Sequence, residues 1–231
     1  MNITIDIETL PSSDPKFIAD VAATITAPGQ YNKPESIAKW LAANKEQAVK
    51  DIVSKTSFDG LYGSIACIAW AFDDGPIQVV GVDVSISESQ MLHDFYDSVS
   101  EYVKVQYSGC ITSTPLTVIG HNVAGFDLPF LKHRSIIHGI KPQTDIYRAM
   151  NAKPWDSCIA DTMLMWSADR EKRVSMDKLC KAFGIAGKDG FDGSMVADTW
   201  PVDPIKVMEY CKDDVSRTRA IYKRLTFSEA A

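Results

Sequence analysis

Ile3-Thr4-Ile5-Asp6-Ile7-Glu8-Thr9-Leu10 is the stretch on which the architecture turns. Successive strand residues point to opposite faces, so Ile3, Ile5 and Ile7 share one side and Thr4, Asp6 and Glu8 the other. Residues 2–9 therefore read as a strand with one apolar face. Aspartate is disfavoured inside strands, and two neighbouring acids repel unless something positive sits between them. A hard divalent cation held by oxygen ligands would relieve that repulsion. An edge strand with a solvated acidic face is the alternative.

Working outward, Pro11, Ser12, Ser13 and Asp14-Pro15 break the strand. Residues 35–55 read as a helix after Pro34, with Ile37, Trp40, Leu41, Ala48 and Ile52 on one side. Gly60 and Gly63 punctuate the chain before a buried strand, Ser64 to Phe72. Asp73-Asp74-Gly75-Pro76 makes a hairpin turn into a second strand, Ile77 to Val84. Ser87 with Gln90 suggests a capping box for a helix carrying Met91, Leu92, Phe95, Tyr96, Val99 and Val103.

A short strand, Leu116 to Gly120, leads into His121-Asn122-Val123-Ala124-Gly125-Phe126-Asp127 and a helix ending near Gly139. Residues 141–157 read as a loop. Helices are expected at 159–168 and 175–183, the second stopped by Gly184, then a flexible loop at 187–193. Asp203-Pro204 supplies an N-cap and first-turn proline for a last helix to Leu225. The order predicts one α/β domain over residues 1–231, a mixed central sheet flanked by helices, with a helical insertion after the first strand.

The 231 residues carry a net charge of −6, which argues against coating nucleic acid by charge alone. An acidic site that loads cations would look too negative when read without them. Cys67, Cys110, Cys158, Cys180 and Cys211 are odd in number and irregularly spaced, which fits reduced thiols in a cytoplasm rather than a disulfide framework or zinc knuckle. No apolar run approaches the ~20 residues of a membrane span, and the first residues do not read as a signal peptide.

Three further features could carry chemistry. Asp127, before Leu128-Pro129, reads by itself as a helix N-cap, a role compatible with pointing into a cleft. Tyr210 and Asp214 are four apart on the last helix and share a face, at the flank of the stripe Val207, Cys211, Val215, Thr218, Tyr222 and Leu225. Asp213 is an adjacent competitor for Asp214. His133 and His138 are five apart, on different helix faces, and do not form a metal set.

In order, these motifs are Asp6-Ile7-Glu8-Thr9-Leu10-Pro11, then Gly120 to Asp127 with its Asn122 and Phe126-Asp127, then Tyr210-Cys211-Lys212-Asp213-Asp214-Val215. The arrangement resembles the DEDD exonuclease superfamily of the ribonuclease H-like fold, in its tyrosine subclass, and in particular the proofreading exonuclease domain of family B DNA polymerases and its stand-alone relatives. The resemblance runs from residue 3 to about residue 225. The histidine subclass would place His five residues before the last acid, where this chain has Glu209.

The resemblance implies a 3′→5′ exonuclease that releases nucleoside 5′-monophosphates from single-stranded 3′ ends, DNA favoured over RNA. It assigns two divalent cations, Mg²⁺ or Mn²⁺, to Asp6, Glu8, Asp127 and Asp214, with Asp6 bridging. Tyr210 is implied to orient the attacking water, and Thr9, Leu10, Asn122 and Phe126 to contact the substrate. Residues 12–60 are less familiar and suggest a lid or guide. Lys132, His133, Arg134, Lys178, Lys181 and Lys188 could touch phosphates, although charge runs are commonly solvated faces. The length leaves no room for a polymerase domain, so a separate polymerase or repair factor is a candidate partner. Rival readings are an RNA-trimming enzyme, since discrimination rests on 2′-OH contacts, a non-catalytic nucleic-acid-binding module of the same fold, and a structural subunit with an acidic surface.

Overall fold

Alternating isoleucines place β1 (Asn2–Leu10) in the middle of a five-stranded sheet, with Ile3, Ile5 and Ile7 buried. Thr4 on the opposite face is buried as well, so both faces of β1 are covered. The structure is a computed structural model and describes residues 1–83, 85–107, 115–167, 173–187 and 190–228. The backbone forms two compact units, one of Met1–Glu8 with Ile65–Ala231, the other of Thr9–Ser64.

The Thr9–Ser64 unit holds α1 (Pro15–Thr24), α2 (Pro34–Ser54) and a short 3-10 turn, Lys55–Phe58. The sequence reading missed α1, although Asp14 caps it by accepting from the Lys16 N–H and Pro15 stands at its first position. Of the expected stripe on α2, Ile37, Trp40, Leu41 and Ala48 are half-buried and Ile52 is exposed. Phe17 stacks on Tyr62 at 4.5 Å, and the Thr56 hydroxyl accepts from the Ser12 N–H.

In the larger unit, β2 (Ser64–Phe72) is almost wholly buried and pairs antiparallel with β3 (Gln78–Gly81) across the predicted turn. Val84, the expected end of that strand, lies outside the described residues, as do Cys110 and Lys188. Helix α3 (Glu88–Tyr107) starts with Ser87 accepting from the Gln90 N–H, while the Gln90 side chain turns to Asp94, so half of the expected box forms. Met91, Leu92, Phe95 and Val99 are fully buried against the sheet core. β4 (Thr117–Gly120) runs parallel to β1, with Thr4 opposite Ile119, and α4 (Asp127–His138) ends at Gly139 in the left-handed conformation, φ 66°.

Two expectations need correction. Residues 141–157 contain α5 (Thr144–Met150), capped by the Gln143 side chain, which accepts from the Asp145 and Ile146 N–H groups. The expected helix from 159 begins instead as β5 (Ile159–Asp161), parallel to β4, and becomes α6 (Thr162–Ser167). Then come α7 (Met176–Phe183), stopped at left-handed Gly184, the short α8 (Val196–Thr199), and α9 (Pro204–Leu225), capped by Asp203. The sheet order is β3-β2-β1-β4-β5, a mixed sheet flanked by helices, which is the expected ribonuclease H-like class. Among the described residues no helix is long and apolar enough to cross a membrane.

Candidate active site

The covered polar face of β1 faces α9. The Cys211 thiol lies 3.4 Å from the Asp6 backbone carbonyl and 3.3 Å from Asp6 Oδ2, and donates to that carboxylate. One ligand-capable atom each from Asp6, Glu8 and Cys211 lies within 4.8 Å of the others. Cys211 is fully buried, and burial first, then Cys67 and the acids, pushes its thiol up, so it is a neutral donor here. Thiols suit soft cations and carboxylates hard ones, so of these three groups the two carboxylates are the donors that would suit a hard divalent cation.

Asp127 arrives from β4 through a tight turn. Asn122 sits at φ 66°, and a Cβ on Gly125 would stand 2.6 Å from Asn122 Oδ1, while one on Gly120 would stand 2.5 Å from the Val123 Cβ. Glycine at both positions lets the turn close. Asp127 is not the N-cap expected from sequence. It is the first helical residue, and its carboxylate reaches across to β1, where Oδ1 accepts from the Ile7 N–H at 3.2 Å. Asp161 at the end of β5 fastens the same turn, accepting from the Asn122 N–H at 3.0 Å and the Ala124 N–H at 3.1 Å. His121 is held by Thr162 and the Val174 carbonyl.

On α9, Tyr210 and Asp214 are both buried and hydrogen-bond each other, while the Asp213 side chain is 64% exposed. Helical phase therefore separates the two neighbouring acids: Asp214 turns inward and Asp213 to solvent. Arg217 donates from Nη1 to Asp214 Oδ1 at 2.8 Å.

These acids feel one another. The Asp6 carboxyl is held well above the usual range, by burial first and then by Glu8, Asp127 and Asp214. Asp127 is pushed up to about 7 by burial, against hydrogen bonds from its own and the Ile7 N–H, with Asp161 and Asp214 adding to the rise. Burial, then Asp214, Glu8 and Asp6, raise the Tyr210 hydroxyl far above its ordinary value. Four carboxylates thus share one low-dielectric region. Oxygen donors that repel one another are a donor set that fits hard divalent cations.

The other predicted residues are placed as follows. Thr9 is buried and donates its hydroxyl to the Ser57 carbonyl at 2.6 Å; Leu10 is half-buried. Phe126 is half-buried, its ring 5.7 Å from that of Phe130, and Asn122 is half-buried in its turn. Arg134 is buried and bonds Glu88 at 2.7 Å, so it serves the interior. Lys132 bonds Asn151 at 2.6 Å, and His133, Lys178 and Lys181 are exposed. Asp161, Arg217 and Cys211 were missed as site residues. The spacing of Arg217, three after Asp214, was the readable signal for one of them. Phe191 also reaches the site, its ring 4.9 Å from that of Tyr210.

Residues 62–231 match the family described as predicted 3′-5′ exonuclease related to the exonuclease domain of PolB. Among solved structures, the chain is similar to the family B DNA polymerase from the hyperthermophilic archaeon Pyrobaculum calidifontis, with 17% identity and a TM-score of 0.58. That likeness covers 97% of this chain and 24% of the polymerase, so the chain spans about a quarter of that protein's length. No curated protein matches.

Proposed function

We propose that this chain, which belongs to the family of predicted 3′-5′ exonucleases related to the exonuclease domain of PolB, removes nucleotides from the 3′ ends of single-stranded DNA as nucleoside 5′-monophosphates. Asp6, Glu8, Asp127 and Asp214 would hold two cations, Mg²⁺ or Mn²⁺. The observation that carries this reading is the convergence of acids from β1, α4 and α9: Asp6 and Glu8 lie within ligand reach of each other, Asp127 Oδ1 accepts from the Ile7 N–H, and Asp214 is buried beside Tyr210. When bound, the cations supply charge relief on the phosphate, a more acidic water and stabilisation of the leaving oxygen.

The chain's own residues divide the remaining work. β1 fixes Asp6 and Glu8 on one face, and the Ile7 N–H aims Asp127 at that face. Tyr210, kept protonated by its buried, anionic surroundings, is no general base. It orients the attacking water through its hydroxyl, which makes this the tyrosine form of the DEDD site. Asn122, Phe126, Thr9 and Leu10 contact the terminal nucleotide in this reading. In this reading residues 1–231 act as one exonuclease unit, alone or beside a separate polymerase or repair factor, and residues 12–60 serve as a lid or guide.

The test is a 5′-labelled single-stranded DNA incubated with the protein and Mg²⁺ or Mn²⁺, beside Asp6→Ala checked for folding by circular dichroism. A ladder shortening from the 3′ end, absent with folded Asp6→Ala and with chelator, is expected. A matched RNA degraded faster than the DNA would turn the reading to RNA trimming. No cleavage of either would leave a nucleic-acid-binding module in its place.

A further inference from the structure

We infer that Arg217 is a positioning residue: it fixes Asp214 and competes with the cation for that carboxylate. This rests on the exonuclease reading above. Arg217 lies one turn beyond Asp214 on α9, so its guanidinium folds back onto the carboxylate. The side chain is only 11% exposed. Nη1 donates to Asp214 Oδ1 at 2.8 Å, Nε to the Ala186 carbonyl at 3.3 Å and Nη2 to the Gly187 carbonyl at 3.1 Å. Asp213 lies 3.6 Å from Nη2.

Every nitrogen of the guanidinium is therefore engaged. A planar fork clamped in this way has few donors left for a substrate phosphate. Gly187 lies close to Asp177 in the first turn of α7: a Cβ there would stand 3.2 Å from Asp177 Oδ1. Arg217 thus ties Asp214 to the segment that follows α7, while the Tyr210 hydroxyl bonds the same carboxylate.

The consequence is a division between aim and affinity. The fork holds Asp214 in one orientation, which serves turnover. The same positive charge shares the electron density of Asp214 with any cation, which weakens cation binding. A residue that merely supported the fold would, when lost, weaken cation binding and turnover together.

The experiment measures Mn²⁺ binding by the electron paramagnetic resonance of free Mn²⁺, together with kcat and KM on single-stranded DNA, for the wild type, Arg217→Ala and Arg217→Lys. Arg217→Ala is expected to bind Mn²⁺ at least about fivefold more tightly, since a charge-assisted hydrogen bond no longer competes. Its kcat should fall about tenfold with KM unchanged. Arg217→Lys keeps the charge and loses the fork, so it should retain wild-type Mn²⁺ affinity with a lowered kcat; this variant carries the test if Arg217→Ala does not fold. Unchanged or weaker Mn²⁺ binding in folded Arg217→Ala, or a raised KM at full kcat, would overturn the inference. A wild type that binds no Mn²⁺ would instead overturn the exonuclease reading on which it rests.

Discussion

Two carboxylate centres of the larger unit behave in opposite ways. Glu88, at the start of α3, has a side chain 10% exposed. Its Oε1 accepts from the Ile65 N–H and Arg134 Nε, and its Oε2 from Arg134 Nη2 and His138 Nε2. Burial alone would raise its pKa; the bonds from Arg134, Ile65 and His138 outweigh burial, and the net shift is downward. Asp127 is buried and Asp6 half-buried, and their shifts are upward, through desolvation first and then through the acids around them. Burial is common to both centres, and the neighbouring charge sets the sign. A carboxylate matched by the protein itself is part of the scaffold. One left mismatched is waiting for a charge from outside.

The largest effect should separate the two centres in a single pair of variants. Asp6→Ala is expected to lower turnover on the order of a thousandfold or more, with stability unchanged or improved because one repelling charge is gone. Glu88→Ala leaves Arg134 buried without its carboxylate and should cost about 3–5 kcal/mol while kcat in the folded protein stays at the wild-type level. Urea unfolding and steady-state kinetics on both variants check this. If Asp6→Ala proved as destabilising as Glu88→Ala, the acid cluster would be scaffold after all.

Tyr210→Phe comes next. Loss of the hydroxyl should lower kcat by about 10–100-fold, with Mn²⁺ affinity within twofold of wild type by calorimetry. Full activity in this variant would remove Tyr210 from the water-orienting role and leave it as a partner of Asp214 and Phe191.

A smaller effect, but one that tests the signs directly, is the pH dependence of stability in chelator. Asp127 is raised in the folded protein, so its contribution is present below its unfolded value of roughly 4 and is lost as pH climbs to the folded value of about 7. Glu88 is lowered, so its contribution is present above its ordinary 4.5 and is lost as pH falls through the folded value below that. The metal-free protein should therefore be most stable near pH 5. Its Tm should drop on the order of 5 °C between pH 5 and 8, and Asp127→Asn should flatten that slope. Mn²⁺ should recover the loss at pH 8. A Tm that rises from pH 5 to 8 in chelator would contradict the upward shift.

The contrast between the centres also marks what the sequence made legible. β1 could be read because its alternation is local; the acids of α4 and α9 were weak signals singly, Asp127 reading as a cap, and stood out only through the resemblance of the three ordered motifs to the DEDD exonucleases. β5 was lost because three residues, Ile159 to Asp161, carry no measurable period and run straight into α6. α1 was passed over although Asp14-Pro15 gives the same start signal that revealed α9 at Asp203-Pro204. There the competing turn signals of Pro11 and two serines prevailed. Asp161 was invisible as a site residue because its role, fastening the 122–124 turn, is made across 39 and 37 residues of chain. The Glu88 centre was unreadable for the same reason: Arg134 stands 46 residues from Glu88 and looked like part of an exposed basic run.

The smallest prediction concerns His138, the outer member of the Glu88 centre. Its side chain is 27% exposed, against 11% for Arg134, and its Nε2 lies 2.9 Å from Glu88 Oε2. If the charge match is made by the arginine, the histidine only closes the remaining lone pair, and solvent can take its place. His138→Gln, which keeps a donor, should then cost less than about 1 kcal/mol, a Tm change of roughly 2–4 °C at this chain length, and leave the pH profile below 5 intact. Should His138→Gln destabilise as much as Glu88→Ala, the centre would depend on two cations rather than one. The comparison with the acids of β1 and α4 would then be between a triad and a cluster, not between a matched and an unmatched charge.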